Sequence, residues 1–181
     1  MTLIKKYHLN IEENTVADID FNFDGLYKLA KQLKNLNNEV KKDACLRECV
    51  STLAQVYFAE VVKNTPVGEE KTVEVKTKQG IRIFRTNSEH MRRSWGMGEV
   101  EKIDGRYTVK VFNSASYASY VNDGHVQKPG RFVPILGKRL VKNYVAGLKM
   151  TDIAKKKTKR HSKELLEKII RAYLDKGFKD G

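Results

Sequence analysis

Between residues 39 and 63, Val40, Ala44, Leu46, Val50, Leu53, Ala54, Tyr57, Phe58 and Val61 recur at the three- and four-residue spacing that lines one face of an α-helix. Thr65-Pro66-Val67-Gly68 ends that pattern sharply, because the residue before a proline avoids helical backbone geometry. Any fold open to this chain has to place a long, one-sided helix with an abrupt end. A shorter helix precedes it. Leu26, Leu29, Ala30, Leu33 and Leu36 share a face, Asp24 stands where an N-cap belongs, and Asn35-Leu36-Asn37-Asn38 breaks the run. Lys28, Lys31 and Lys34 occupy its opposite face.

After the proline the period changes from helical to alternating. Residues 72–77 and 81–84 flank Lys78-Gln79-Gly80, which predicts a hairpin. Residues 100–103 and 107–112 flank Asp104-Gly105, a strong signal for a type I′ connection. A short helical segment over 115–123 puts Tyr117, Tyr120 and Val121 on one face, with Gly124 as a left-handed stop. Residues 131–136 and 140–145 predict a third hairpin joined by Gly137-Lys138-Arg139, with Pro134 confining its strand to an edge. From 162 to 178, Leu165, Leu166, Ile169, Ile170, Tyr173 and Leu174 form one stripe; Ser162 is a candidate cap, unless the helix already begins at Met150. The order of elements reads as α+β: two N-terminal helices, a central antiparallel sheet of hairpins, and a long C-terminal helix. Residues 1–22 are expected as an N-terminal arm and 23–181 as a single domain with a projecting hairpin at about 129–146.

Composition sets the bounds. A chain of 181 residues buries roughly 70% of its unfolded surface around one core, so one domain or at most two fit. Mean hydropathy is −0.54, and no apolar run approaches the roughly 18–20 residues of a membrane helix. No apolar stretch near Met1 is long enough for a signal peptide, so a cytosolic setting is expected. Two cysteines, Cys45 and Cys49, do not make a disulfide framework. The formal charge is +13, and it is uneven: residues 125–181 hold 16 Lys+Arg against 5 Asp+Glu, net +11, leaving +2 for the rest. The block Lys155-Lys156-Lys157-Thr158-Lys159-Arg160-His161 is densest. Such a balance favours anionic partners.

Signals for catalysis are sparse. His8, His90, His125 and His161 lie in four unrelated contexts without metal-site spacing. Cys45 and Cys49 share a helix face beside Leu46, Val50 and Leu53, and read as buried packing residues. No nucleophile elbow, phosphate-binding glycine loop or dinucleotide fingerprint occurs. Asp123 and His125 suggest a catalytic pair only if a nucleophile accompanies them; the simpler expectation is that His125 bonds the last carbonyls of the preceding helix. Arg92, Arg93, Ser94 and Trp95 form a basic-aromatic cluster of the kind that stacks on single-stranded nucleic acid, against the alternative of a buried Trp95 with exposed arginines.

Taken together, the motifs carry a resemblance. Thr65-Pro66-Val67-Gly68 follows a long helix; then come Met91-Arg92-Arg93-Ser94-Trp95 and a hairpin running into Tyr117-Ala118-Ser119-Tyr120-Val121-Asn122-Asp123-Gly124-His125. Later stand Pro129-Gly130-Arg131-Phe132-Val133-Pro134 and Tyr144-Val145-Ala146-Gly147-Leu148-Lys149-Met150. In this order the segments resemble the neck or tail-completion proteins of long-tailed bacteriophages, over residues 23–174. Met91, Asn122 and Tyr144 depart from the leucine, glutamate and tryptophan usual there.

The resemblance implies a structural virion protein, of a phage or a prophage-derived particle, without catalysis or cofactor. It implies a homo-oligomeric ring, a hexamer, between a head-side connector and a tail terminator or tail tube, assembled in the host cytoplasm and without a membrane partner. The candidate interaction residues, taken from these motifs, the basic-aromatic cluster, the third hairpin and the densest basic block, are Arg92, Arg93, Trp95, Tyr117, Tyr120, His125, Arg131, Lys138, Arg139, Lys155, Lys156 and Lys157. Two other readings compete: a basic nucleic-acid-binding module touching packaged DNA, and a nuclease built on Asp123 and His125, which has too few nearby carboxylates to hold Mg²⁺.

Overall fold

A computed structural model describes residues 7–9, 19–21, 39–69, 72–77, 79–85, 89–133 and 137–179. The short helix expected before residue 37 lies outside the described residues, as does Pro134. Two long helices form the frame: α1 over Glu39–Asn64 and α4 over Met150–Lys179. They run antiparallel. The Met150 sulfur lies 3.6 Å from the Thr65 hydroxyl at one end, and Lys157 pairs with Glu60 at 3.0 Å further along. At the other end Tyr173 hydrogen-bonds Glu48, which pushes its phenol up to about 12.

The buried rows explain the pairing. On α1 they are Cys45, Cys49, Leu53, Tyr57 and Val61; on α4 they are Met150, Ala154, Thr158, Ser162, Leu166 and Ile170. Both advance by four residues, the ridge spacing along which helices interdigitate. α4 is therefore continuous from Met150, and Ser162 is no cap but a fully buried interior residue. Its hydroxyl donates to Lys159 O at 2.8 Å, and that of Thr158 to Ala154 O at 2.9 Å. Small side chains that satisfy their own hydroxyls within the helix leave room for α1 to approach.

Between the long helices in the chain come α2 (His90–Arg93) and α3 (Ala118–Asp123), and the antiparallel strands, of which the first two precede α1, pair two by two among the described residues. β1 (Tyr7–Leu9) pairs with β2 (Ile19–Phe21). β3 (Thr72–Thr77) and β4 (Gly80–Arg85) make the first expected hairpin. β6 (Glu101–Ile103) and β7 (Arg106–Thr108) make the second, through Asp104 at φ 50° and Gly105 at φ 74°, the double positive φ of a type I′ turn. The strand expected over 107–112 keeps a single inward face, Tyr107, Val109, Val111 and Asn113. It nevertheless changes partner halfway. Its second part, β8 (Val111–Asn113), pairs with β5 (Trp95–Met97), so Trp95 lies opposite Asn113.

The third hairpin is corrected in two respects. β10 (Phe132–Val133) pairs with β11 (Lys138–Arg139), so these two cations stand in the return strand and not in the turn. β12 (Tyr144–Ala146) then leaves the hairpin and pairs with β9 (Gly124–Val126), Ala146 opposite Gly124. Two glycines permit this: a Cβ on Gly147 would stand 2.2 Å from Asn122 O, and one on Gly124, whose φ is +86°, 2.5 Å from Val145 O.

The main core unites the C-terminal half of α1 (Val50, Ala54, Tyr57, Val61) with Met91, Trp95, Tyr107, Val109, Val111, Ala118 and Met150. A second cluster joins Cys45, Cys49 and Leu53 to Leu166 and Ile170.

Candidate functional site

The motif segments named above converge on the end of α1. Proline at 66 stops the helix, and Arg92 supplies donors to the terminal carbonyl: its Nε and Nη2 lie 3.2 and 2.8 Å from Thr65 O. The buried Thr65 hydroxyl donates to Val61 O at 2.7 Å and accepts from Trp95 Nε1 at 2.7 Å. Asn113, equally buried, donates to Met91 O at 2.8 Å and accepts from Ala115 N at 2.9 Å, holding α2 against β8. Asn122 Oδ1 accepts from Thr151 N at 3.2 Å and from Thr151 Oγ1 at 3.1 Å, so it caps the first turn of α4 from another element. Leu148 N and Lys149 N donate to Val121 O and Asn122 O, both at 2.9 Å, completing the joint.

These bonds occupy the groups that looked chemical. Trp95 is buried and Arg92 is half-buried, so neither presents itself for base stacking; Arg93 is exposed and ion-paired with Glu89. Asp123 engages Asn122 Nδ2 at 2.7 Å and Lys149 Nζ at 3.2 Å, and not His125. His125 does not bond the helix end as expected. Gly124 N donates to Tyr120 O there, while His125 Nδ1 is buried without a hydrogen-bond partner among the described residues and its ring lies edge-on to Tyr120 at 5.6 Å. The reason is that β9 begins immediately at Gly124 and carries His125 away, opposite Val145. Among the described residues no group of three His, Cys, Asp or Glu is placed to hold a metal ion, and no helix is long and apolar enough to cross a membrane.

Cys45 and Cys49 pack as free thiols beneath α4. The hydrogen bond it donates to Cys45, together with burial, pushes the Cys49 thiol up, which keeps it protonated. One polar centre was not legible in advance. The Asp43 carboxylate on α1 accepts from Tyr107 Oη at 2.5 Å, Lys102 Nζ at 2.6 Å and Arg47 Nε at 2.6 Å, and Arg47 Nη1 continues to Val100 O at 3.0 Å. Lys102, Tyr107 and Arg47 together hold this carboxyl well below the usual carboxylate range. It ties the β6–β7 hairpin to α1. Only the i, i+4 spacing of Asp43 and Arg47 hinted at it.

What remains outward is a set of exposed apolar and charged side chains. The β3–β4 ribbon exposes Ile81 at 61% and Ile83 at 60%. Around α3, β9 and β12 the exposed residues are Tyr117, Tyr120, Val126 and Tyr144, with Leu148 beside them; Tyr117 Oη is 3.0 Å from His90 Nδ1. On the next hairpin Arg131 and Lys138 are exposed, while Arg139 donates to Gly130 O at 2.7 Å and lies over the Phe132 ring. Of the lysine triplet, Lys156 faces solvent, Lys155 is half-buried, and Lys157 joins Glu60 and, at 3.4 Å, Asn64 Oδ1.

Comparison with known proteins gives one family. The model of the family described as "Bacteriophage HK97-gp10, putative tail-component" matches residues 27–124, more than half of the chain and all of the stretch from α1 through α3. No curated protein and no solved structure matches it.

Proposed function

This chain belongs to the HK97-gp10-like family of bacteriophage tail components, and from that membership we propose that it forms a ring in the phage neck, joining or completing the tail at the head-tail interface. Its role is structural and tail-related, and its place is the virion. The ring is six-fold, and its neighbours along the axis are a head-side connector and a tail terminator or tail tube.

A rotational ring needs two different surfaces on each subunit, one for each neighbour. The observation that supports this reading is apolar exposure at two separate places, the β3–β4 ribbon with Ile81 and Ile83 and the α3/β9/β12 surface with Tyr120, Val126 and Tyr144. A lone two-stranded ribbon is marginal in water. A neighbour laid across it stabilises the ribbon and removes both apolar surfaces from solvent. Negative-stain images and light scattering of the purified chain test the reading, alone and mixed with the head-side and tail-side proteins of the same particle. Rings of the wild type are expected, with Ile81→Lys/Ile83→Lys remaining a folded monomer. A wild type that stays monomeric in every mixture, or a double variant that forms normal rings, refutes it.

A further inference from the structure

The solvent face of α4 carries a feature that ring contacts do not need. Between Asp152 and Glu164 the chain holds six Lys and Arg residues and no carboxylate. The fold sorts them. Ala154, Thr158 and Ser162 are buried against α1, Lys157 is drawn to Glu60, and Lys155 is half-buried. Lys156, Lys159, Arg160 and Lys163 are all exposed. At 100° per residue these four fall within about 100° of arc, on the side opposite the buried row, and they extend about 10 Å along the axis. A continuous helix packed along α1 holds them as a rigid rail of positive charge.

We infer that this rail binds the phosphate backbone of duplex DNA without regard to sequence. The rail differs from the apolar faces of the ribbon and of β9 and β12 in that its four members are all cationic, three of them lysine, with Ile153, 39% exposed, at its N-terminal border. Lysine is depleted from protein–protein interface cores, whereas phosphate contacts need only cations held in place. The inference does not rest on the ring, because a monomer binds DNA through the rail as well.

The test is binding of the full chain to a fluorescent duplex, measured across a salt series from about 50 to about 200 mM. Four phosphate contacts give a log–log salt slope of about −3.6 and a loss of about 10²-fold in affinity over that range. The variant Lys156→Gln/Lys159→Gln/Arg160→Gln/Lys163→Gln is expected to flatten the slope by about that amount. Lys156→Arg/Lys159→Arg/Lys163→Arg is expected to bind as the wild type does, and circular dichroism checks that each variant keeps its helices. A control, Lys76→Gln/Arg82→Gln/Lys138→Gln/Arg139→Gln, removes the same charge elsewhere and is expected to leave most of the slope in place. The inference is overturned by absence of wild-type binding at the lowest salt, or by equal losses in control and rail variants. It is also overturned if polyglutamate of matching charge binds the rail as tightly as DNA, which assigns the face to an acidic protein.

Discussion

Thr65 shows how much one side chain can join. Its hydroxyl closes the last turn of α1 and receives the indole N–H of Trp95, and its carbonyl receives Arg92. Thr65→Val keeps the shape and removes the acceptor, leaving a buried N–H unpaired, so urea unfolding followed by tryptophan fluorescence is expected to show a loss of about 1–3 kcal/mol. Asp43 makes a pH-dependent prediction. Its carboxyl is held below its ordinary range when folded, so the stability it contributes is fully present above the ordinary carboxylate pKa of about 4 and is lost as pH falls through the depressed value. Thermal melts between about pH 6 and about pH 2 are expected to show wild type and Asp43→Asn converging as acid is added. Burial of Trp95 was legible from its single aromatic among charges. Its partner was not, because Thr65 lies thirty residues upstream and reads locally as a helix stop.

At the scale of elements, helices and turn chemistry were legible because they are local. The i, i+4 rows foretold α1 and most of α4, and Asp104-Gly105 foretold its hairpin. Strand partners were not, since alternation records which side chains point inward and says nothing of the neighbour. Hence the strand from Tyr107 keeps its inward face while exchanging β6 for β5, and β12 goes to β9 because Gly124 and Gly147 let the backbones meet. Ser162 left two readings open for a related reason: a serine before an apolar stripe looks like a cap unless its burial is known, and the structure selects the helix that already begins at Met150. Ser162→Leu places a large side chain at a position that is fully buried, and chemical denaturation is expected to show a loss of about 1–3 kcal/mol from overpacking.

For the whole molecule, the net charge of +13 separates into parts with different roles. Some cations are internal ties, such as Arg92, Lys102 and Lys157; others, on α4 and β11, face outward. Lys138→Glu/Arg139→Glu reverses an exposed pair, and particle assembly is expected to fail or stall at the neck while circular dichroism of the purified variant matches the wild type. Normal necks assembled from that variant exclude the β11 strand from docking. The antiparallel pairing of α1 and α4 has a consequence in time. α1 is finished at Asn64 and its partner only at Lys179, about 115 residues later, or roughly 6–23 s of synthesis at 5–20 residues per second. Until then Cys45, Cys49, Leu53 and Val61 lack their cover, so a chain broken off before Met150 cannot pass for a finished part.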